Sequence, residues 1–273
     1  MLKVLTAPPD PILRPFVRAY VQREMRLGDT QEMVEPVIAR LGVMLEFEFA
    51  GPYEVLNYGS DAVDATFPIS IIGPQTWRRA RLIIRGHIES LVVLFQPCGF
   101  HGLFDAPTLP LAETGTEGHA VLGAEVSRLH QRLGNVPSFG ERVRILNGFF
   151  LNRLAPAQAA DPAIKAMDAL TAPGPLVKVS EVARHMGVNL RQLERKSLAY
   201  AGVSPKALTR ISRFSRALRL RNEGNFTWTE VAHAAGYHDH MHMIRDFRIF
   251  AGEAPTAAVE EIASDHLINF CVQ

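Results

Sequence analysis

The chain has 273 residues, 47% hydrophobic and 21% charged. That is the balance of a globular protein of about two domains, and it excludes a disordered, collagen-like or coiled-coil chain. The formal net charge of +1 hides an asymmetry: residues 1–160 carry 15 basic and 16 acidic side chains, residues 161–255 carry 14 and 9, and residues 178–221 alone carry 11 and 2, so a polyanionic partner is expected for the second half only. No apolar run approaches the roughly 20 residues that span a bilayer. The start, Met1 to Pro11, does not read as a secretory signal. Cys98 and Cys271 make neither a disulfide framework nor a Cys-x-x-Cys pair. A cytoplasmic protein without membrane contact is expected.

Before about residue 155 the chain reads as short strands separated by turn signals. Val43–Phe49 alternates at its end and is broken by Gly51-Pro52. Tyr53–Tyr58 runs into Gly59-Ser60-Asp61. Ser70–Ile72, Arg81–Arg85 and Leu91–Phe95 are bounded by Gly73-Pro74, Gly86 and Pro97. Strands at this spacing predict a β-sandwich or barrel. Two helices are expected next, over Ala120–Leu133 and Phe139–Leu154, from apolar residues three and four apart. The second has more large apolar residues than one buried stripe requires, which makes it, or its neighbour, a candidate dimer face.

Small residues and prolines from Ala155 to Pro162 mark a linker, with few contacts expected between the parts it joins. Beyond it every segment reads helical. The division expected is a β-rich domain with two trailing helices over 1–155, a linker over 156–162, an all-α domain over 163–256 and a tail over 257–273.

The all-α part contains a repeat. Glu181-Val182-Ala183 recurs as Glu230-Val231-Ala232, and Gly187 as Gly236. One residue further out of step, Arg195 recurs as Arg245, Ala201-Gly202 as Ala251-Gly252, and Pro205 as Pro255. Each copy reads as a helix-turn-helix. A cap residue, Ser180 or Thr227 (alternatively Thr229), opens a short helix. A glycine ends it where positive φ is needed. A longer second helix follows, over about Leu190–Tyr200 or His240–Phe250. Helical spacing puts Leu190, Leu193 and Ser197 inward and Arg191 and Arg195 outward. In the second copy Met243, Phe247 and Phe250 face inward, while Met241, Arg245 and Arg248 face outward. Long basic side chains on an exposed helix suit the major groove, where arginine can bind guanine bidentately. Between the copies a helix capped by Ser204, with Pro205 in its first turn and Asn222-Glu223-Gly224 at its end, presents Lys206, Arg210, Arg213 and Arg221 outward. Those side chains are expected to touch phosphates at most.

The run Ala232-His233-Ala234-Ala235-Gly236-Tyr237-His238-Asp239, then His242-Met243-Ile244-Arg245-Asp246-Phe247-Arg248, Gly252 and Pro255, resembles the AraC/XylS family of bacterial transcription regulators. In the first copy the same resemblance is carried by Val182-Ala183, Gly187, Leu190–Arg195 and Gly202–Lys206. It implies double-stranded promoter DNA as partner, with RNA polymerase as a further partner if the chain activates. It places base-reading positions on Arg191, Glu194 and Arg195 in the first unit and on His240, Met241 and Arg245 in the second. Ser197 stands where the family usually has an aromatic residue, leaving a gap for a neighbour such as Phe214. Leu13–Val17 and Phe95–Phe104 resemble, more weakly, the family's amino-terminal domain. That implies a cupin-like barrel followed by helices that senses a small molecule, forms a homodimer, or both.

Two other classes stay open for the first half. A cupin-type enzyme would need clustered metal-ligating histidines, and His87, His101, His119 and His130 lack the spacing. No nucleophile motif or phosphate loop is present, so no catalytic residue, metal or cofactor is expected. A protein-interaction module is the second alternative. Trp77 with Arg78, Arg79, Arg81 and Arg85 is a candidate anion-friendly pocket, and equally an outward sheet face.

Overall fold

The computed structural model describes residues 2–57, 63–78, 80–154, 161–172, 177–224 and 226–262. Among them the chain begins with β1 (Leu2–Ala7), β2 (Val17–Arg26), β3 (Glu32–Val37), β4 (Met44–Glu48), β5 (Glu54–Asn57), β6 (Val63–Ala65), β7 (Ile69–Ile72), β8 (Ala80–Arg85) and β9 (His87–Phe95). A short helix α1 (Gly99–Phe104) and β10 (Gly115–Glu117) follow. The strands pair antiparallel in two sheets, ordered β1-β2-β9-β4-β7-β10 and β3-β8-β5-β6. The expected strands are present, apart from Tyr58 and the Gly59-Ser60-Asp61 turn, which lie outside the described residues. Three early strands escape sequence reading. In β2 the buried positions include Arg23 beside Tyr20, Val21 and Met25, and in β3 they are Glu35 and Pro36. Charged residues facing inward erase the alternation that betrays a strand.

The two faces of the larger sheet differ in chemistry. Leu45 and Phe47 of β4, Leu91, Val93 and Phe95 of β9, and Ile69 and Ile71 of β7 pack under α3 (Ala124–Gly134) and α4 (Phe139–Leu151). Those helices supply Val126, Leu129, Leu133, Leu146 and Phe150, all at most 1% exposed. The main apolar core therefore lies between sheet and helices. The space between the sheets holds smaller clusters around Val92 and Leu94 and around Tyr53 and Ile84, with charged groups among them. The helix expected over Ala120–Leu133 is two, α2 (Gly118–Leu122) and α3, because Gly123 at φ +69° breaks the ladder. On α4, Ser138 caps the start by accepting from the Glu141 N–H. Of the expected linker, residues 155–160 lie outside the described residues. Asp161 caps α5 by accepting from the Ala163 N–H.

The second half is helical: α5 (Pro162–Thr171), α6 (Val179–His185), α7 (Leu190–Ala201), α8 (Pro205–Glu223), α9 (Trp228–Ala234), α10 (His240–Phe250) and α11 (Pro255–Ile262). Gly187 and Gly236, at φ +67° and +84°, make the turns that end α6 and α9. Thr227 forms a full capping box with Glu230, as its position predicts. Ser180 does not cap α6. That helix starts two residues earlier, with Lys178 in the cap position and no side-chain cap. Leu190 is not inward either, being 52% exposed in the first turn of α7, where no neighbour covers it. The α8 rod of 19 residues, about 28 Å long, is shared. Its Leu208 packs with Val182, Ala183 and Leu193 of the first unit, while Ile211, Phe214, Ala217 and Leu218 pack with Val231, Met243, Phe247 and Phe250 of the second. Residues 257–262, read from sequence as the start of a tail, continue α11, and Ala258 and Ile262 are buried in the second unit.

Candidate nucleic-acid interface and interior cavity

Both second helices present their amino-terminal halves to solvent. Arg191, Glu194 and Arg195 are exposed on α7, and His240, Met241 and Arg245 on α10. Below them Leu193, Met243 and Phe247 are fully buried, so packing fixes the rotation of each helix. Asn189 and Asp239 cap the two helices by accepting from the Gln192 and His242 N–H groups. Among the described residues none of Arg191, Arg195 or Arg245 meets a carboxylate, so a structural tie from Arg195 to Glu181, or from Arg245 to Glu230, is absent. Six residues that sequence reasoning chose thus stand on two equivalent exposed surfaces.

The outward arginines of α8 are different. Arg210 donates to Asp246 at 2.6 and 3.1 Å and lies 5.0 Å from the Phe250 ring. Arg213 sits 5.2 Å from the Tyr237 ring. Arg221 donates to the Phe226 carbonyl at 2.8 Å and stands 5.3 Å from the Trp228 ring. These guanidiniums bind α8 to the second unit, while Lys206 is exposed. The gap expected at Ser197 is closed without Phe214, which meets Phe247 edge-to-face and Phe250 at a tilt. The buried Ser197 hydroxyl donates to the Val203 carbonyl at 2.6 Å.

The two halves are docked, against the expectation of few contacts, and the repeat docks twice. At the end of α7, Thr108 N–H donates to the Ala199 carbonyl at 2.8 Å and Thr108 Oγ1 to the Tyr200 carbonyl at 2.9 Å. The Tyr200 ring stacks on His101 with centroids 4.0 Å apart. At the end of α10, Ala39 N–H donates to the Phe250 carbonyl at 2.8 Å and Arg78 N–H to the Ile249 carbonyl at 3.1 Å. The Arg78 guanidinium donates to the Ala251 carbonyl at 2.9 Å and to Glu261 at 2.5 and 2.7 Å. Gly202 and Gly252 follow the two helices, and both are needed for approach. A Cβ would lie 2.9 Å from Pro74 Cγ at the first and 2.4 Å from Arg78 Cδ at the second. Both glycines are members of the repeat, and nothing in the repeat shows what they touch. Of the suggested anion pocket, Trp77, Arg78 and Arg81 do share an open cavity of about 450 Å³ with Arg248, the Arg78 guanidinium being engaged by Glu261; Arg85 pairs instead with Glu32 and Glu54 on the surface, and Arg79 lies outside the described residues.

Between the sheets is a cavity of about 530 Å³. Val37, Val55, Phe67, Ile72 and Leu82 give it apolar walls, and Ser70, Gln75, Arg40 and Glu113 give it polar ones. Glu46 and Glu48, 1% and 8% exposed, share the inward face of β4 with Met44, another lining residue. The buried Tyr53 hydroxyl donates to Glu46, and Arg23 pairs with Glu35 at 2.5 Å, both sealed from solvent. Burial, with Glu46 nearby, pushes the Glu48 carboxyl up to about 7 against a hydrogen bond from Thr66. The cavity touches the docking segments. Arg40 and Gln75 exchange backbone hydrogen bonds at 2.9 and 3.0 Å, next to Ala39 and three residues from Arg78. Glu113 accepts from Thr76 N–H and Oγ1 at 2.7 and 2.6 Å.

The other candidate groups are structural. Among the described residues no set of His, Cys, Asp and Glu gathers as a metal-ion group. His130 contacts the Glu48 carbonyl at 2.7 Å and stacks near Phe47 and Phe49. Cys98 is buried against Met167, and burial raises its thiol far above the usual range, so it stays protonated. No helix among the described residues is long and apolar enough to cross a membrane.

A family model described as a helix-turn-helix domain matches residues 182–261. No curated sequence matches the chain. The fold is similar to the crystal structure of ToxT from Vibrio cholerae O395, at 12% identity over 90% of this chain and 98% of that one, with a TM-score of 0.50. It is also similar to the same protein bound to (E)-4-(8-methylnaphthalen-1-yl)but-3-enoic acid, at 14% identity over 89% and 99%, with a TM-score of 0.51. At these identities the likeness is one of fold: a β-rich half followed by the helical one.

Proposed function

We propose that this chain, a DNA-binding regulator with an AraC-type helix-turn-helix domain, reads promoter DNA with Arg191, Glu194 and Arg195 in one major groove and His240, Met241 and Arg245 in the next, under the control of a small molecule held between its sheets. The observation that carries the reading is the pairing of two exposed helix surfaces, equivalent in the repeat, with docking contacts that hold only the far ends of the same helices. Bases can therefore be reached with the halves docked. Arginine at equivalent places supplies bidentate donors, and Met241 offers an apolar contact suited to a thymine methyl.

Control follows from where the cavity lies. Its wall residues Arg40 and Gln75 belong to the backbone ladder that carries Ala39 and Arg78, and Pro74 of the same segment meets Gly202. A ligand that shifts this ladder changes the hold on both recognition helices together, which is differential binding to two states of the protein. The ToxT complex with a butenoic acid derivative lends support to sensing by this fold. Homodimerisation is part of the reading, supported by the half-buried Phe139, Val143, Ile145 and Leu151 on α4. So are action in the cytoplasm, where promoter DNA lies, contact with RNA polymerase if the chain activates, and the absence of a catalytic role.

The test selects a binding site from random DNA with the full-length protein and measures Arg195→Ala and Arg245→Ala on it. Each should weaken the selected site by about 1–3 kcal/mol and relax the preference at one base pair, with the melting temperature unchanged because both side chains are exposed and form no ion pair among the described residues. Equal weakening on all sequences together with a lower melting temperature would defeat the reading.

A further inference from the structure

We infer that Glu113, on the cavity wall, is the residue that positions both recognition helices, because its carboxylate buckles together the two segments that carry the two docks. The inference rests on the sensing reading above and names the residue through which that site acts.

The two segments are connections. Residues 73–78 lie between β7 and β8, and residues 105–114 between α1 and β10. The second segment makes the first dock, through the Thr108 N–H and hydroxyl on the Ala199 and Tyr200 carbonyls. The first segment makes the second dock, through Arg78 on Ile249 and Ala251. It also steadies Ala39, the other donor of that dock, because Gln75 exchanges backbone hydrogen bonds with the adjoining Arg40. Pro74 and Thr108 meet at Gly202, where a Cβ would lie 2.9 Å from Pro74 Cγ and 3.1 Å from Thr108 Cγ2.

The segments run against each other. Gly73 N–H donates to the Thr114 carbonyl and Glu113 N–H to the Pro74 carbonyl, each at 3.0 Å. A Cβ on Gly73 would lie 1.7 Å from the Leu111 carbonyl oxygen, so the backbones touch. Side chains add one fastening, the Glu113 oxygen Oε1, which accepts from Thr76 N–H at 2.7 Å and from Thr76 Oγ1 at 2.6 Å. Hydrogen bonds to an ionised acceptor are the strong ones. The other oxygen, Oε2, is buried without a hydrogen-bond partner among the described residues. The carboxylate is therefore held by Thr76 and by no wider network.

The backbone of Glu113 is at φ +62°, a left-handed conformation that a glutamate rarely adopts. Such a conformation persists where the surroundings over-determine it, and it is concentrated at clamps and switches. Here it delivers the carboxylate to Thr76. Glu113, Thr114 and Gln75 all line the cavity, so an occupant that displaces this wall acts on the buckle directly. Arg78 stands beyond the branch and serves one dock. The Glu113–Thr76 clamp stands before it and serves both. A cavity occupant that favours the open clamp shifts both helices to the state with the looser hold.

Amide hydrogen exchange on the full-length protein tests this, read at Thr108 for the first dock and at Ala39 and Arg78 for the second. Glu113→Gly removes the clamp and suits the left-handed backbone; Leu129 and Leu146 in the main core report that the fold is kept. Protection at Thr108, Ala39 and Arg78 should fall together, by about tenfold or more. Glu113→Gln keeps an acceptor for Thr76 and should hold all three within about threefold of the wild type. Should Glu113→Gly fail to fold, Thr76→Val, which deletes the hydroxyl donor alone, should lower the same three amides by about threefold or more. Loss confined to Thr76, loss at one dock only, or an equal loss in Glu113→Gln overturns the inference and leaves a sensing cavity in place. On the selected DNA site Glu113→Gly should bind about threefold more weakly or worse, since both reading helices lose a fixed end. Loosened docks with unchanged DNA affinity overturn the control reading and leave the buckle standing.

Discussion

Replacing Arg78 by alanine should release the second helix-turn-helix unit from the β-rich half and leave the first unit held. The Arg78 side chain is 6% exposed and reaches Glu261 with two nitrogens at 2.5 and 2.7 Å, while Nη1 also donates to the Ala251 carbonyl at 2.9 Å. A hydrogen bond to a charged group contributes about 1.5–3 kcal/mol. Glu261 keeps 34% of its side-chain surface, so water recovers part of the loss. About 2–3 kcal/mol remains for this dock, a factor of roughly 30–150 in its equilibrium. Hydrogen exchange reads it directly, because Ala39 and Arg78 donate their amides to the Phe250 and Ile249 carbonyls across the interface. In Arg78→Ala, protection at positions 39 and 78 should fall by that factor. The Thr108 amide, which bonds Ala199 at the other dock, should change less than threefold. Unchanged protection at Ala39, or an equal loss at Thr108, would refute the argument. The first result would mean that the guanidinium is not what holds the unit, the second that the halves separate as one body.

Three further outcomes are expected. Asp246→Ala should lower the stability of the full chain by about 2–3 kcal/mol in urea unfolding, because it strands Arg210 against α10; Arg213→Ala should likewise destabilise while leaving the salt dependence of DNA binding unaltered, since Arg213 stacks on Tyr237. Glu48 has a folded pKa of about 7, above the usual carboxylate value. Its stabilising contribution is thus complete below about 4.5 and lost as pH rises through about 7. The urea midpoint should fall between pH 6 and pH 8.5, and Glu48→Gln should flatten that slope.

The helix-turn-helix units were legible because their constraints are local. Helical spacing sets which side of α10 carries Met243 and Phe247 and which carries Arg245. Caps such as Ser204 and Thr227 act within three residues, and the turn glycines Gly187 and Gly236 answer to backbone sterics alone. The six base-reading candidates came from the resemblance and the outward face together. Where spacing failed, at Leu190, the residue lies in a first turn with no neighbouring turn to cover it.

What only the tertiary structure decided is where long-range partners meet. The outward arginines of α8 look alike in sequence, and only the neighbouring Asp246, Tyr237 and Trp228 rings and carboxylate turn them from solvated groups into fastenings. Strands β2 and β3 were hidden because Arg23 and Glu35 point inward. A buried charge looks like a surface residue until its partner 12 residues away is known. The double dock and the cavity beside it depend on Ala39, Arg78 and Thr108 meeting Phe250, Ala251 and Ala199. Such contacts span 91 to 211 positions of the chain and leave no periodic trace, since they are set by how separately formed surfaces fit and not by any local preference of the backbone.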